Sequence, residues 1–415
     1  MSLVPSWRRH FAILVGLPLV VTLLTGRTLA EMPQATSAVQ TPAIEQPAPP
    51  VQFESAVLAS DVRPHVEYLA SPELKGRSGP NARIAAEYIQ QRFERWGLKP
   101  LFPGDNYFQE IPGARSEEGA KSIAGRNVGA WIEGSDPALR DEVLIISAHY
   151  DHLGVRGGRI YRGADDNASG VAMLLEVARC TAAAAVKPRR SIAFIGFDLE
   201  ERMLWGSRWF VAHPPWPLAQ IKLFITADMI GRSLGDLPLP VVFVLGSEHA
   251  PRLKDVLSRV GTPHGLEVAR LGIDLIGTRS DYGPFRDASI PFLFFSTGQH
   301  PDYHTPQDIP ERIDYARVAK ISGLVHAICD DVANADETPE WTDDVATNLD
   351  EARALNRIAT LMLQSRGSEG LSDVQQLLLS HTKNRTAQII ERGSMSPLER
   401  TWLVRVSQLM LLSVF

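Results

Sequence analysis

Five short stretches of this sequence set acids and histidines among small residues or directly after apolar runs. They are His149-Tyr150-Asp151, the octapeptide GADDNASG at 163–170, Glu200-Glu201, Asp228, and His304 in YHTPQD. Imidazole and carboxylate are donors that suit zinc, and manganese or cobalt can also occupy such sets. Two divalent ions about 3.5–4 Å apart need a bridging carboxylate, one or two further ligands each, and a water or hydroxide between them. A further glutamate that is not a ligand could take a proton from that water and pass it to a leaving amine. Glu200 and Glu201 stand on successive residues, so their side chains diverge; one can bind metal while its neighbour faces a substrate. Each residue taken singly reads as an ordinary polar loop residue, and the ordered set carries the weight. Asp165, next to Asp166, reads as structural, and His152, one residue past Asp151, as a local polar contact.

The elements that must position these groups are legible as short apolar runs. EVLIISA (142–148) reads as a strand and leads into His149; SIAFIGF (191–197) leads into Asp198 and the Glu pair. KLFITA (222–227) leads into Asp228, and IPFLFFS (290–296) is followed eight residues later by His304. Helical segments such as SGVAMLLEVARC and PRLKDVLSRVG alternate with these runs and with VVFVLG (241–246). Near-continuous apolar strands alternating with helices imply a largely parallel sheet covered on both faces. In such sheets ligands bind beyond the carboxyl ends of the strands, where these acids and histidines fall.

The remainder of the chain narrows the function classes. With 42 basic and 48 acidic residues among 415 and no basic block, nothing points to nucleic acid. Two cysteines, Cys180 and Cys329, exclude a disulfide framework or a cysteine zinc module, and the sequence does not tell whether they pair. Arg8, Arg9 and His10 precede the apolar run FAILVGLPLVVTLLTG, which predicts a signal peptide over 1–30 and an exported protein. The run is shorter than the ~20 residues of a membrane span, so no stable span is expected after cleavage; an uncleaved segment would anchor the protein. Residues 31–54 are rich in Pro, Ala and Gln and read as a disordered linker. The catalytic domain is expected over 55–335, and a helical extension without strands over 336–415, which could pack on the domain, cover its cleft or mediate dimerisation.

The ordered motifs resemble those of peptidase family M28, the di-zinc aminopeptidases, over roughly residues 60–330. The resemblance rests on His149-x-Asp151, GADDNASG, Glu200-Glu201 followed by LWGS, Asp228-Met229 and Tyr303-His304-Thr305-Pro306. It implies a three-layer α/β/α sandwich with a mostly parallel mixed sheet, two zinc ions per chain, and hydrolysis of N-terminal residues from peptides. His149 and Asp228 would hold one zinc, Glu201 and His304 the other, with Asp166 bridging and Glu200 the general base. Asp151 would hydrogen-bond His149, and a cis peptide would follow Asp166. In some relatives a tyrosine at the position of Tyr303 donates to the oxyanion and an arginine at that of Arg279 touches substrate; here packing and an ion pair are equally good readings. Ser280-Asp281-Tyr282 stands where the common pattern has Ser-Asp-His, which leaves the pocket wall open to question. The same scaffold serves carboxypeptidases and glutaminyl cyclases, and a non-catalytic binding module is a third alternative, disfavoured by the intact ligand set.

Overall fold

The computed structural model describes residues 51–115, 121–365 and 371–414. The expected signal peptide (1–30) and residues 31–50 of the expected linker lie outside the described residues. Residues 49–415 form one compact unit; nine of the described strands make one sheet, and two short pairs stand outside it, Gly154–Arg156 with Arg159–Tyr161 and Gln52–Phe53 with Thr262–Pro263, the latter ordering the end of the stretch expected to be a disordered linker. The strands are β1 (Lys99–Pro100), β2 (Phe108–Arg115), β3 (Lys121–Ile132), β4 (Val143–His149), β5 (Ser191–Phe197), β6 (Ile221–Ala227), β7 (Val241–Leu245), β8 (Glu267–Leu271) and β9 (Phe292–Ser296). Their order across the sheet is β8-β7-β9-β6-β4-β5-β3-β1, with β2 also pairing β3. The sheet is mixed: β9, β6, β4 and β5 run parallel at its centre, while β3 joins β5 antiparallel and β9 joins β7 antiparallel.

Ten helices accompany the sheet among the described residues: α1 (Ala59–Leu69), α2 (Pro80–Arg95), α3 (Gly170–Ala183), α4 (Trp205–Ala212), α5 (Pro251–Val260), α6 (Tyr282–Asp287), α7 (Tyr315–Asn334), α8 (Asp350–Gln364), α9 (Asp373–Arg392) and α10 (Pro397–Val414). Every residue of β4 and β5 is buried, because both faces of the central strands are covered. Alternation sorts their side chains by layer. Leu144, Ile146 and Ala148 pack with α1, α2, α3 and α7, while Val143 and Ile145 belong to the opposite core with Phe210 of α4 and Phe285 of α6. The expected α/β/α sandwich is what forms.

Two features were not legible. The strands β1 to β3 occupy a stretch that reads as turn-rich, because β3 carries glycines at 125 and 129 that dilute its pattern. The glycines answer tertiary neighbours: a Cβ at 129 would lie 2.6 Å from Leu101 and one at 125 would lie 2.5 Å from the Asp198 carboxylate. The helical C-terminal region packs on the β8 edge of the sheet. Ala352, Leu355, Ile358 and Met362 share one apolar core with Ala269, Ile273 and Leu275. Arg400 clamps that junction by pairing both Asp274 and Glu351, and Arg357 pairs Glu267. Cys180 in α3 and Cys329 in α7 are both free. No described helix is long and apolar enough to cross a membrane.

Candidate metal centre

Strand β4 has one chain neighbour on each side, β5 and β6, so the winding of the sheet reverses there and a crevice opens past its carboxyl end. His149 is the last residue of β4, the Glu pair follows β5, and Asp228 follows β6. The turn 164–169 that carries Asp166 lies between the β4 loop and α3, and the Asp166–Asn167 peptide is cis. Three residues at the crevice hold left-handed backbone angles without being glycine: Leu199 just before the Glu pair, Met229 just after Asp228, and His304 itself. Such conformations persist where surrounding structure enforces them, commonly at functional sites.

The five predicted ligands converge, and Asp166 stands at their centre. Its Oδ1 lies 3.4 Å from His149 Nε2, which is also 3.4 Å from Asp228 Oδ1. Its Oδ2 lies 3.1 Å from His304 Nε2, which in turn is 3.3 Å from Glu201 Oε2. One carboxylate thus presents an oxygen to each of two acid–imidazole pairs. His149 is 1% exposed and His304 36%, so the crevice is open on the His304 side. Ligand atoms of His149, Glu200 and Asp228 lie within 4.8 Å of one another, as do those of His152, Asp166 and Glu201.

Several of these atoms are buried without a hydrogen-bond partner among the described residues, including His149 Nε2, Asp228 Oδ1 and Glu201 Oε1. Buried polar atoms are normally satisfied, and clustered buried charge is costly unless neutralised, so the donor set fits divalent cations. The electrostatics agree. Burial alone would raise Asp166, yet His152, His149 and His304 hold it well below the usual carboxylate range. Burial would lower His149, but Glu200, Asp228, Asp151 and Asp166 together raise it well above the usual histidine range. Glu200 is pushed well above the carboxylate range, first by burial and then by Asp228, Asp281 and Asp151.

Asp151 acts on the Glu pair as much as on His149. Its Oδ1 and Oδ2 accept the backbone amides of Glu200 (3.0 Å) and Glu201 (3.4 Å). The same carboxylate is 3.7 Å from His149 Nδ1, which also lies 3.3 Å from the Asp151 backbone carbonyl. Tyr303 stacks on His304 with ring centroids 3.8 Å apart. Burial and the facing Asp166, Asp228, Glu201 and Glu200 push its hydroxyl far up, so it stays protonated as a donor. Arg279 is exposed; its side chain donates to the Ile276 carbonyl, and no described carboxylate pairs with it. Tyr282 turns into the apolar layer, with its ring 5.3 Å from Phe292, and its hydroxyl accepts from the Arg279 amide at 2.9 Å and donates to the Gly277 carbonyl. The departure from Ser-Asp-His therefore fastens the loop that carries Arg279.

Some organising residues escaped the sequence reading. His152 is buried with Nδ1 2.9 Å from Glu201 Oε1, closer to the centre than a local contact. Asp308 accepts the amides of both Asp165 (2.8 Å) and Asp166 (3.0 Å), fixing the turn from the far side. Asp165 is structural, as expected: its Oδ1 accepts the Gly231 amide at 2.6 Å and its Oδ2 faces His300 at 3.3 Å. The only sequence signal for Asp308 is its place four residues past His304; for His152 it is adjacency to the HxD. Gly163 closes the turn at φ 59°, where a Cβ would lie 2.1 Å from the Asp166 carbonyl and 2.6 Å from the His152 ring. Gly163→Ala is therefore expected to displace Asp166 and to lower bound metal below that of the parent protein, read by metal analysis of the folded variant.

Residues 127–329 match the family model described as Peptidase family M28. Over that stretch, just under half of the chain, the sequence is similar to the M28 peptidases. Among curated proteins it is 28% identical over 210 residues to Aminopeptidase YwaD of Bacillus subtilis (strain 168), covering 48% of this chain and 43% of that protein. The chain thus spans about half the length of the curated relatives it matches. Among solved structures, the zinc aminopeptidase BSAP from Bacillus subtilis superposes with a TM-score of 0.53 at 16% identity, over 71% of this chain and 100% of that one. Porphyromonas gingivalis glutaminyl cyclase superposes with a TM-score of 0.53 at 18% identity, over 67% of this chain and 99% of that one. These likenesses show that the chain shares the fold of those structures.

Proposed function

We propose that this protein is an exported zinc aminopeptidase that removes N-terminal residues from peptides. The observation that carries the reading is the Asp166 carboxylate, whose two oxygens face the His149–Asp228 pair and the Glu201–His304 pair separately. His149 and Asp228 would hold one zinc, Glu201 and His304 a second, and Asp166 both. Zinc bound there would supply Lewis acidity, polarising a peptide carbonyl and easing deprotonation of water.

The remaining chemistry belongs to side chains. Glu200, raised by burial and neighbouring acids, takes the proton from the attacking water and returns it to the departing amine. Asp151 holds the amides of both glutamates and so fixes how they diverge. Tyr303 keeps its proton and would donate to the developing oxyanion. Arg279, exposed and donating to the Ile276 carbonyl, is assigned to the substrate.

The similarity to a glutaminyl cyclase supports a second reading, cyclisation of an N-terminal glutamine, which can proceed with a single zinc. The test is hydrolysis of a panel of amino-acid p-nitroanilides beside N-blocked and C-terminal peptide substrates, with metal measured on the same preparation. Release only from free amines, with two zinc per chain and loss of activity on chelation, is the expected result. Less than one equivalent of any transition metal, with activity indifferent to chelator, sinks the metal reading. One zinc with a cyclised product selects the cyclase, and two zinc without free-amine cleavage selects another amide specificity.

A further inference from the structure

Beside the metal centre lies a cavity of about 140 Å³ that the proposed chemistry does not use. Its lining brings Glu201, Asp151 and Asp198 together with His152, Arg156 and Arg202. Arg202 ends the helical turn that begins with the Glu pair. Arg156 belongs to a hairpin, Gly154–Arg156 paired with Arg159–Tyr161, whose register sets Arg156 directly opposite Arg159. Like charges facing across a strand pair disfavour each other, and although both arginines are exposed to solvent a negative partner would relieve the repulsion. None is supplied from within. The Arg156 guanidinium sits 5.8 Å from the Tyr161 ring, and no described carboxylate makes an ion pair with Arg156, Arg159 or Arg202.

The acids that share the cavity are already engaged. Asp151 accepts the two glutamate amides, and Asp198 accepts the amides of Arg126 and Leu199 at 2.9 Å each. Glu201 faces His152 and His304. Gly79 precedes the 16-residue α2, whose amino end has no side-chain cap and adds a favourable dipole for an anion. The cavity thus holds two arginines without an ion-pair partner, beside three acids that keep partners of their own.

The geometry points to this cavity as a carboxylate-accepting subsite, in which Arg156 and Arg202 receive a carboxylate of the peptide whose scissile bond lies at the metal centre. This rests on the peptidase reading above. The carboxylate comes either from the chain end of a dipeptide or from an acidic side chain. A guanidinium binds it through charge-assisted, often bidentate hydrogen bonds.

The test takes X as the residue released fastest from its p-nitroanilide and compares X-Gly, X-Asp-NH2, N-acetyl-X-Gly and neutral X-Gly-NH2 as substrates. For each protein, kcat/KM is expressed as a ratio to its own X-Gly-NH2 value. The zinc-loaded parent should favour X-Gly or X-Asp-NH2 by about ten- to hundredfold, the range of a hydrogen bond to a charged group. Preference for X-Gly assigns the chain end, and preference for X-Asp-NH2 assigns the side chain. In the double variant Arg156→Gln/Arg202→Gln the ratio should fall to near one, while Arg159→Gln, on the same hairpin but outside the cavity, should keep it. A ratio near one in the parent, or one unmoved by the double variant, overturns the subsite and leaves the aminopeptidase reading standing. Arginine-dependent cleavage of N-acetyl-X-Gly upholds the subsite and overturns the free-amine reading. No turnover of any of the four, with the X p-nitroanilide still cleaved, overturns the subsite and leaves the aminopeptidase reading standing.

Discussion

Glu200→Ala is expected to lower kcat by about 10²–10⁴-fold, the usual contribution of a positioned acid–base group, while the protein keeps its full metal content. The two halves of this expectation must be measured together, because the glutamates are neighbours and both approach metal-competent groups. Ligand atoms of Glu200 fall within 4.8 Å of those of His149 and Asp228, and Glu201 within the same limit of His152 and Asp166. What separates them is contact. Glu201 lies 3.3 Å from His304 and 2.9 Å from His152. Glu200 is raised by burial and by the facing carboxylates, which suits a group that gains a proton during turnover. Loss of one metal equivalent in Glu200→Ala would make it a ligand, and near-normal turnover with full metal would give it another role. Glu201→Ala is the counterpart and should lose metal first.

Arg77→Met is expected to destabilise the fold by about 3–5 kcal/mol, in the range for stripping one partner from a buried charged network, and to empty the metal centre as well. Arg77 is fully buried. Its guanidinium donates to the carbonyls of Tyr150 (2.7 Å), Leu69 (2.8 Å), Arg162 (2.7 Å), Gly163 (2.7 Å) and Asp166 (3.3 Å). Burial lowers its pKa to about 10, with Asp166, Asp308 and Asp151 opposing, so it remains charged at neutral pH. Those five carbonyls belong to three separate stretches: the end of α1, the loop after His149, and the turn that carries Asp166. Methionine fills much of the volume but leaves every acceptor unsatisfied. Arg77→Lys should recover little, since a single ammonium cannot span the planar fork of acceptors. Thermal unfolding with metal analysis checks this; a variant that melts with the parent and holds its metal would reduce Arg77 to packing.

His149, Asp228 and the Glu pair were legible because each lies at or just past the end of a short, almost purely apolar run, a local pattern that survives without knowledge of neighbours. The same regularity gave β4, β5 and β6 nearly to the residue. His304 was reached through the ordered set rather than through a strand end, since eight residues separate it from Ser296. Arg77, Asp308 and His152 were not legible, because what makes them matter is the set of amides, carbonyls and carboxylates brought to them from distant parts of the chain. Strand β3 was missed for a related reason: its glycines are dictated by Leu101 and Asp198, not by the strand itself.

By itself, the sequence determined the α/β class, the resemblance to the M28 peptidases and the four residues, His149, Asp228, Glu201 and His304, that gather around Asp166. These follow from periodicity and from side-chain chemistry, which are carried within a few residues. Only the tertiary structure decided that the C-terminal helices seat on the β8 edge, that Tyr282 faces the core instead of the crevice, and that Arg156 and Arg202 come together beside Glu201. Each of those depends on which surfaces remain uncovered once the sheet has formed, and on the close approach of chain segments far apart in sequence.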